Sequence, residues 1–239
     1  MPAATRIMRM TIITTTMTDP LATLRLLAWL SPAFPTGGYA YSHGLEWVVE
    51  QREITNGQTL KTWVEAILTQ GAGRNDAILA RHAHAASGDL DRLEEITELA
   101  LAIQPAMERR AETVGQGAGF VAAARPWNAT LLPALAARAG DIPYPIAVGA
   151  LAGVSGLDVE LTIPALLQAF AANLISAAIR LVPLGQSAGL AVLASIEPAI
   201  LATASVTRGQ SLDDLGGFCP RADIAAMRHE TQYTRLFRS

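Results

Sequence analysis

The sequence predicts an all-α protein, a single-domain helical bundle of roughly ten helices. Three observations carry that prediction. Hydrophobic residues make up 51% of the chain but aromatics only 5%, with alanine supplying much of the apolar count, the composition of closely packed helices. Apolar residues recur at helical spacing along almost the whole sequence. No run of β-branched residues alternates with period two. At 239 residues the chain is long enough to bury a core without staples. No repeat, long linker or low-complexity tract marks a second domain.

The elements follow in order. Residues 1–18, "MPAATRIMRMTIITTTMT", read as a disordered extension: Arg6 and Arg9 interrupt any apolar stretch, and no cleavage site follows one. Met17 is a plausible alternative start. Asp19 then caps and Pro20 opens a helix over Leu21 to Leu30. Further helices are expected over Leu45 to Arg52, Leu60 to Gln70 and Asp76 to Ala86. Ser87 to Ile103 begins with capping residues and carries Leu90, Leu93, Ile96 and Ala100 at helical spacing. Pro105 opens the next helix, in which Gly115 and Gly119 sit four apart, where another helix can approach. Asn128 to Ala139, Ile146 to Gly153, Pro164 to Leu181 and Ser187 to Thr207 complete the set, so that residues 19–239 form one all-helical unit with a C-terminal tail.

Composition excludes several function classes. A formal net charge of −3 is too near neutral for nucleic-acid binding through a charged face. The single cysteine, Cys219, leaves no internal disulfide and fits a reducing cytoplasm. Leu161 to Ile179 is an uncharged run long enough to span a membrane. It nevertheless contains Pro164, Gln168 and Asn173 and is rich in alanine. Asn173, Ser176 and Arg180 form a polar stripe opposite Phe170, Leu174 and Leu181, which reads as a buried helix or subunit interface.

Catalytic and metal chemistry find little support. A P-loop needs Gly-Lys, but Lys61 is the only lysine and follows a leucine. His82 and His84, two apart on a helix, point about 200° from one another and do not share a metal. Cys219 and His229 have no ligand cluster beside them. Ser42 and His43 are sequence neighbours, but adjacency on a helix is not nucleophile–base geometry, and no G-x-S-x-G elbow is present. No residue is assigned as catalytic, metal-ligating or cofactor-binding; a membrane-associated or hydrolytic protein using Ser42 and His43 is the alternative.

Two segments read as recognition surfaces. In "SPAFPTGGYAYSHGLE", Ser31 to Glu46, prolines restrict the loop, glycines permit tight turns, and Tyr39 and Tyr41 offer rigid contact area, unless those rings cap the domain's own core. The terminus "PRADIAAMRHETQYTRLFRS" holds four arginines and the anchors Tyr233, Leu236 and Phe237. That mixture favours docking, with ordering on a partner; the alternative is a tail folded back on its own helices.

These segments, with "YPIAVG" at 144–149 and "NLISAAIRLVPLGQSAG" at 173–189, closely resemble the UreF family of urease accessory proteins from about Leu24 to Ser239. One departure, "TGGYAYSHGLE", keeps the family's aromatic and glycine pattern. The resemblance implies an all-helical, non-enzymatic, cytoplasmic chaperone without a cofactor. It would form homodimers and join UreD (UreH in some bacteria) and the GTPase UreG for GTP-dependent nickel insertion into apo-urease, with neither nucleic acid nor membrane as partner. The partner-contact residues then expected are Tyr39, Tyr41, Ser42, His43 and Glu46 in the first segment and Arg180 and Gln186 in the third. The tail adds His229, Glu230, Tyr233, Arg235, Phe237 and Arg238, mobile in the free protein and ordered against UreD.

Overall fold

The computed structural model describes residues 19–239, so the expected disorder of residues 1–18 lies outside the described residues. Within them the chain forms α-helices, short 3-10 turns and no strand. The helices are α1 (Pro20–Trp29), α2 (Leu45–Glu50), α3 (Gly57–Gln70), α4 (Ala72–Ala85), α5 (Leu90–Ala102) and α6 (Met107–Ala123). They continue with α7 (Leu131–Ala139), α8 (Tyr144–Val154), α9 (Val159–Leu181), α10 (Gln186–Ser195), α11 (Glu197–Val206) and α12 (Pro220–His229).

Local chemistry sets the boundaries. Asp19 caps α1 through the Leu21 N–H at 2.9 Å, as the sequence predicts. Asn56 and Thr59 form a capping box that starts α3 three residues before the expected Leu60. Asp158 accepts from the Glu160 N–H at 2.8 Å and starts α9 at Val159, upstream of Pro164. The helix runs through that proline, which lacks the N–H that would bond the Glu160 carbonyl. The expected helix over Ser187 to Thr207 is two helices, broken at Ile196, because Pro198 carries no N–H to donate back across the junction.

The core is built on small residues. α4 and α8 pack closely along Ala77, Ala80 and Ala83 on one side and Ala147 and Ala150 on the other, all fully buried. Gly149 sits where any Cβ would strike the Ala80 carbonyl. α9 threads the middle, packing on α2, α3, α4, α8, α10 and α11. It is long and apolar enough to cross a membrane; here half of that apolar window is buried in the bundle. Arg81 and Arg208 both grip Glu160 at 2.7 Å, tying α4 and the turn after α11 to the start of α9. His82 and His84 diverge as their spacing requires, to the Gln210 carbonyl at 3.0 Å and the Leu157 carbonyl at 2.7 Å.

Gly115 and Gly119 admit not another helix but the loop from Pro35 to Tyr41. The Tyr41 hydroxyl lies over Gly115, and a Cβ on Gly119 would stand 2.9 Å from the Pro35 carbonyl oxygen. The face of α6 is thus shaped to receive the loop. Gly119→Ala should cost about 1–3 kcal/mol through overpacking, read from the denaturation midpoint. It should also speed amide exchange at Ala40 and Tyr41, whose N–H groups bond back to Gly37 and Gly38.

Candidate functional site

The opening segment turns inward at one point. His43 and Gly44 both adopt left-handed backbone, φ 61° and 74°, a conformation that costs a non-glycine residue about 1–3 kcal/mol. The turn aims Ser42, His43 and Glu46 into the bundle, where all three are buried. Glu46 Oε1 accepts the Leu236 N–H at 2.7 Å and Oε2 the Phe237 N–H at 2.9 Å. The Ser239 backbone oxygen accepts from both the N–H and the hydroxyl of Ser42. Arg238 N–H donates to the Ala40 carbonyl at 2.8 Å. The two segments are therefore one unit.

His229 locks the joint. Its Nε2 lies 3.2 Å from Glu46 Oε2 and its Nδ1 2.6 Å from Glu108 Oε2, with no solvent exposure. A protonated ring donates to both carboxylates; a neutral one donates to only one. Glu108 also holds Arg235 at 2.6 Å. One turn along α6, Glu112 takes Arg109 at 2.5 Å and the Ser239 hydroxyl at 2.8 Å. Burial acts to raise the Glu112 carboxyl, but the Arg109 guanidinium, His43 and the Ser239 hydrogen bond outweigh it and hold it at about 2. Burial, helped by Arg109, pushes His43 down to about 4. Its ring is thus neutral at pH 7, edge-on to Phe170 at 5.2 Å, with Nδ1 unbonded 3.6 Å from Glu112.

Asp76 stands apart from this pairing. Burial pushes its carboxyl up to about 7, against the pull of Arg109 and with a further push from Glu112. Asp76 and Arg109 separate two hollows. A small one of about 90 Å³ reaches His43, Asn75, Cys219 and Asp223. A large groove of about 870 Å³ runs between α1, the Ser31–Tyr39 loop, α6 and α9. Leu27 and Tyr39 stand exposed on its rim, while Arg109 and Glu112 lie buried at its floor.

The expected contact residues divide accordingly. Tyr41, Ser42, His43, Glu46, His229 and Phe237 are buried within the chain. Of the tail expected to be mobile until a partner orders it, His229 closes helix α12 and the residues after it fold back, with Glu46 and Ser42 binding their backbone. Glu230 accepts the Met107 N–H at 2.9 Å and caps α6. Arg180 donates to the Ser176 carbonyl at 3.3 Å and covers the Phe237 ring at 4.2 Å. Tyr39, Tyr233, Leu236 and Arg238 face solvent. Gln186 is exposed at the start of α10 and joins none of this.

Sequence reasoning missed Asp76, Glu108, Arg109 and Glu112. A signal was present: Glu108, Glu112, Gly115 and Gly119 fall at i, i+4, i+7 and i+11, one stripe of α6. Ser42 gives its hydroxyl proton to the Ser239 oxygen and makes no hydrogen bond to a histidine. Among the described residues no group of three or more histidine, cysteine or acidic side chains is placed to hold a metal.

Fold and site together define a class, an all-helical protein whose charged centre fastens chain segments and whose surface displays aromatic and arginine side chains on the fastened stretch. The UreF family model matches residues 54–197. The chain is 50% identical over 224 residues to the urease accessory protein UreF of Xanthobacter autotrophicus strain Py2, covering 92% of each. It is 47% identical over 224 residues to that of Bradyrhizobium sp. strain BTAi1, covering 92% of this chain and 93% of the relative. Against that of Methylorubrum populi strain BJ001 it is 49% identical over 221 residues, with 90% and 98% covered. The chain belongs to the UreF family of urease accessory proteins.

Two predictions follow from the buried charges. Glu46→Ala strands the Leu236 and Phe237 amides and leaves His229 Nε2 without its carboxylate, and should cost about 2–4 kcal/mol, with early loss of amide protection at Leu236 and Phe237. The pH prediction separates three windows. Asp76, with its folded pKa raised from 3.8 to about 7, makes stability fall as pH rises from about 4 to 7 and no further above. His43 removes stability as pH drops from 6.5 to about 4, and Glu112 as pH drops from 4.5 to about 2. In residues 19–239 alone, Asp76→Asn should therefore raise the melting temperature more at pH 8 than at pH 4.5, measured by calorimetry.

Proposed function

We propose that this protein is a urease maturation scaffold that holds UreD (UreH in some bacteria) and the GTPase UreG together, as a cytoplasmic homodimer, for GTP-dependent nickel insertion into apo-urease. Membership of the UreF family supports the pathway. The observation that carries the mode of action is the clasped tail: Phe237 and Ser239 point in and are fastened, while Tyr233, Leu236 and Arg238 on the same stretch point out. Aromatic and arginine side chains on a fixed backbone are the composition of contact hot spots. Nucleotide hydrolysis belongs to the partner, since no Gly-Lys exists in the chain. The chaperone's work is to position its partners rather than to make or break bonds.

The test uses the two faces of the tail. Tyr233→Ala with Leu236→Ala should shift stability by less than about 0.5 kcal/mol, as exposed positions do. The pair should nevertheless abolish co-purification with UreD and lower urease activation in cells carrying the urease genes. Phe237→Ala should instead cost about 3 kcal/mol and weaken capture only in step with unfolding. Undiminished capture of UreD by the Tyr233/Leu236 variant would refute the scaffold reading of the tail.

A further inference from the structure

The groove between α1 and α9 shares Arg109 and Glu112 with the clasp at its floor but extends well beyond it. Its rim is apolar, with Leu27, Phe34 and Phe170, yet its floor holds Asp76 beside the Arg109–Glu112 pair, two carboxylates to one guanidinium. Arg109 gives its short bond to Glu112. Asp76, by contrast, is shifted by burial and neighbouring charge alone, with no hydrogen bond contributing. A complementary occupant carries apolar side chains for the rim and a cation for the floor.

Such a segment is covalently attached beside the groove. Residues 1–18 contain Arg6 and Arg9, no acidic residue, and Ile7, Met8, Met10, Ile12 and Ile13 around them. They join the described fold at Asp19, where α1 begins, and Thr23, Leu26, Leu27 and Leu30 of α1 line the groove. The ten steps of chain from Arg9 to Asp19 reach up to about 33 Å when extended, twice the length of α1 at about 15 Å. Reach therefore does not limit return along the groove.

We propose that the N-terminal segment of the same chain occupies this groove, seating its Ile and Met side chains on Leu27, Phe34 and Phe170 and an arginine, Arg6 or Arg9, on Asp76. The surface is a site for a basic, apolar peptide, filled in cis. It is independent of which proteins the tail contacts.

The full chain, with a photoreactive benzophenone side chain in place of Met8, tests this. Illumination should give cross-links within one chain, mapped by mass spectrometry to peptides containing Leu27–Tyr39 or Leu161–Ser176, at a yield independent of protein concentration. Asp76→Asn should lower that yield about fivefold or more, the scale of losing one charge-assisted hydrogen bond. Arg6→Ala with Arg9→Ala, outside the described fold, should do the same should the Asp76 variant fail to fold. Cross-links between chains that grow with concentration would overturn the proposal in favour of a second copy. Cross-links elsewhere, none at all, or a groove yield insensitive to removal of these charges would also overturn it.

Discussion

Two buried carboxylates, Glu46 and Glu112, govern this structure. An anion removed from water must be met by donors or it unfolds the region around it. Most of the donors that meet these two lie far away in sequence: the Leu236 and Phe237 amides, the Ser239 hydroxyl and His229. Arg109 and Gln116 are the local exceptions. The last residues cannot leave without stranding Glu46, and α2 cannot turn outward without stranding the tail. The position of the terminus is set by charge satisfaction, which the apolar core alone does not dictate.

The opening segment bears the geometric cost of that arrangement. Burying Ser42, His43 and Glu46 together requires the left-handed turn at His43 and Gly44, and the loop before it must lie flat on α6. Glycines at 115 and 119 make the flat approach possible. The same loop that completes the polar centre also forms one wall of the large groove. A change at α6 therefore reaches both the clasp and the groove, because the stripe of Glu108, Glu112, Gly115 and Gly119 touches each.

The bundle was legible in the sequence because its signals are local. Caps at Asp19 and Asp89, proline at helix starts and the 3.6-residue period each act within a few residues. The break at Ile196 was missed although Pro198 marked it, since the alanine-rich pattern runs on across it. The clasp was illegible for a different reason. Glu108, Arg109 and Glu112 spaced three and four apart look like the solvated face of a helix; only the return of a segment more than a hundred residues later makes that face interior. Tyr39 and Tyr41 show the same limit in one stretch. Two positions apart, one is three-quarters exposed and the other buried, and only the place of α6 separates them.

The tail's design follows from its alternation. Leu236 and Arg238 point to solvent while Phe237 and Ser239 point into the fold, so one extended segment is fastened through alternate residues and displayed through the others. A peptide that orders only on binding loses backbone and side-chain freedom at that moment, and the loss subtracts from affinity. Here Glu46, Ser42, Arg180 and Glu112 bind the segment within the fold, so its outward side chains stand on backbone that is already fastened. On the scaffold reading, such fastening would raise affinity without adding a contact. It also ties the position of those outward side chains to the packing of the buried centre formed by Glu46, Glu112 and His229.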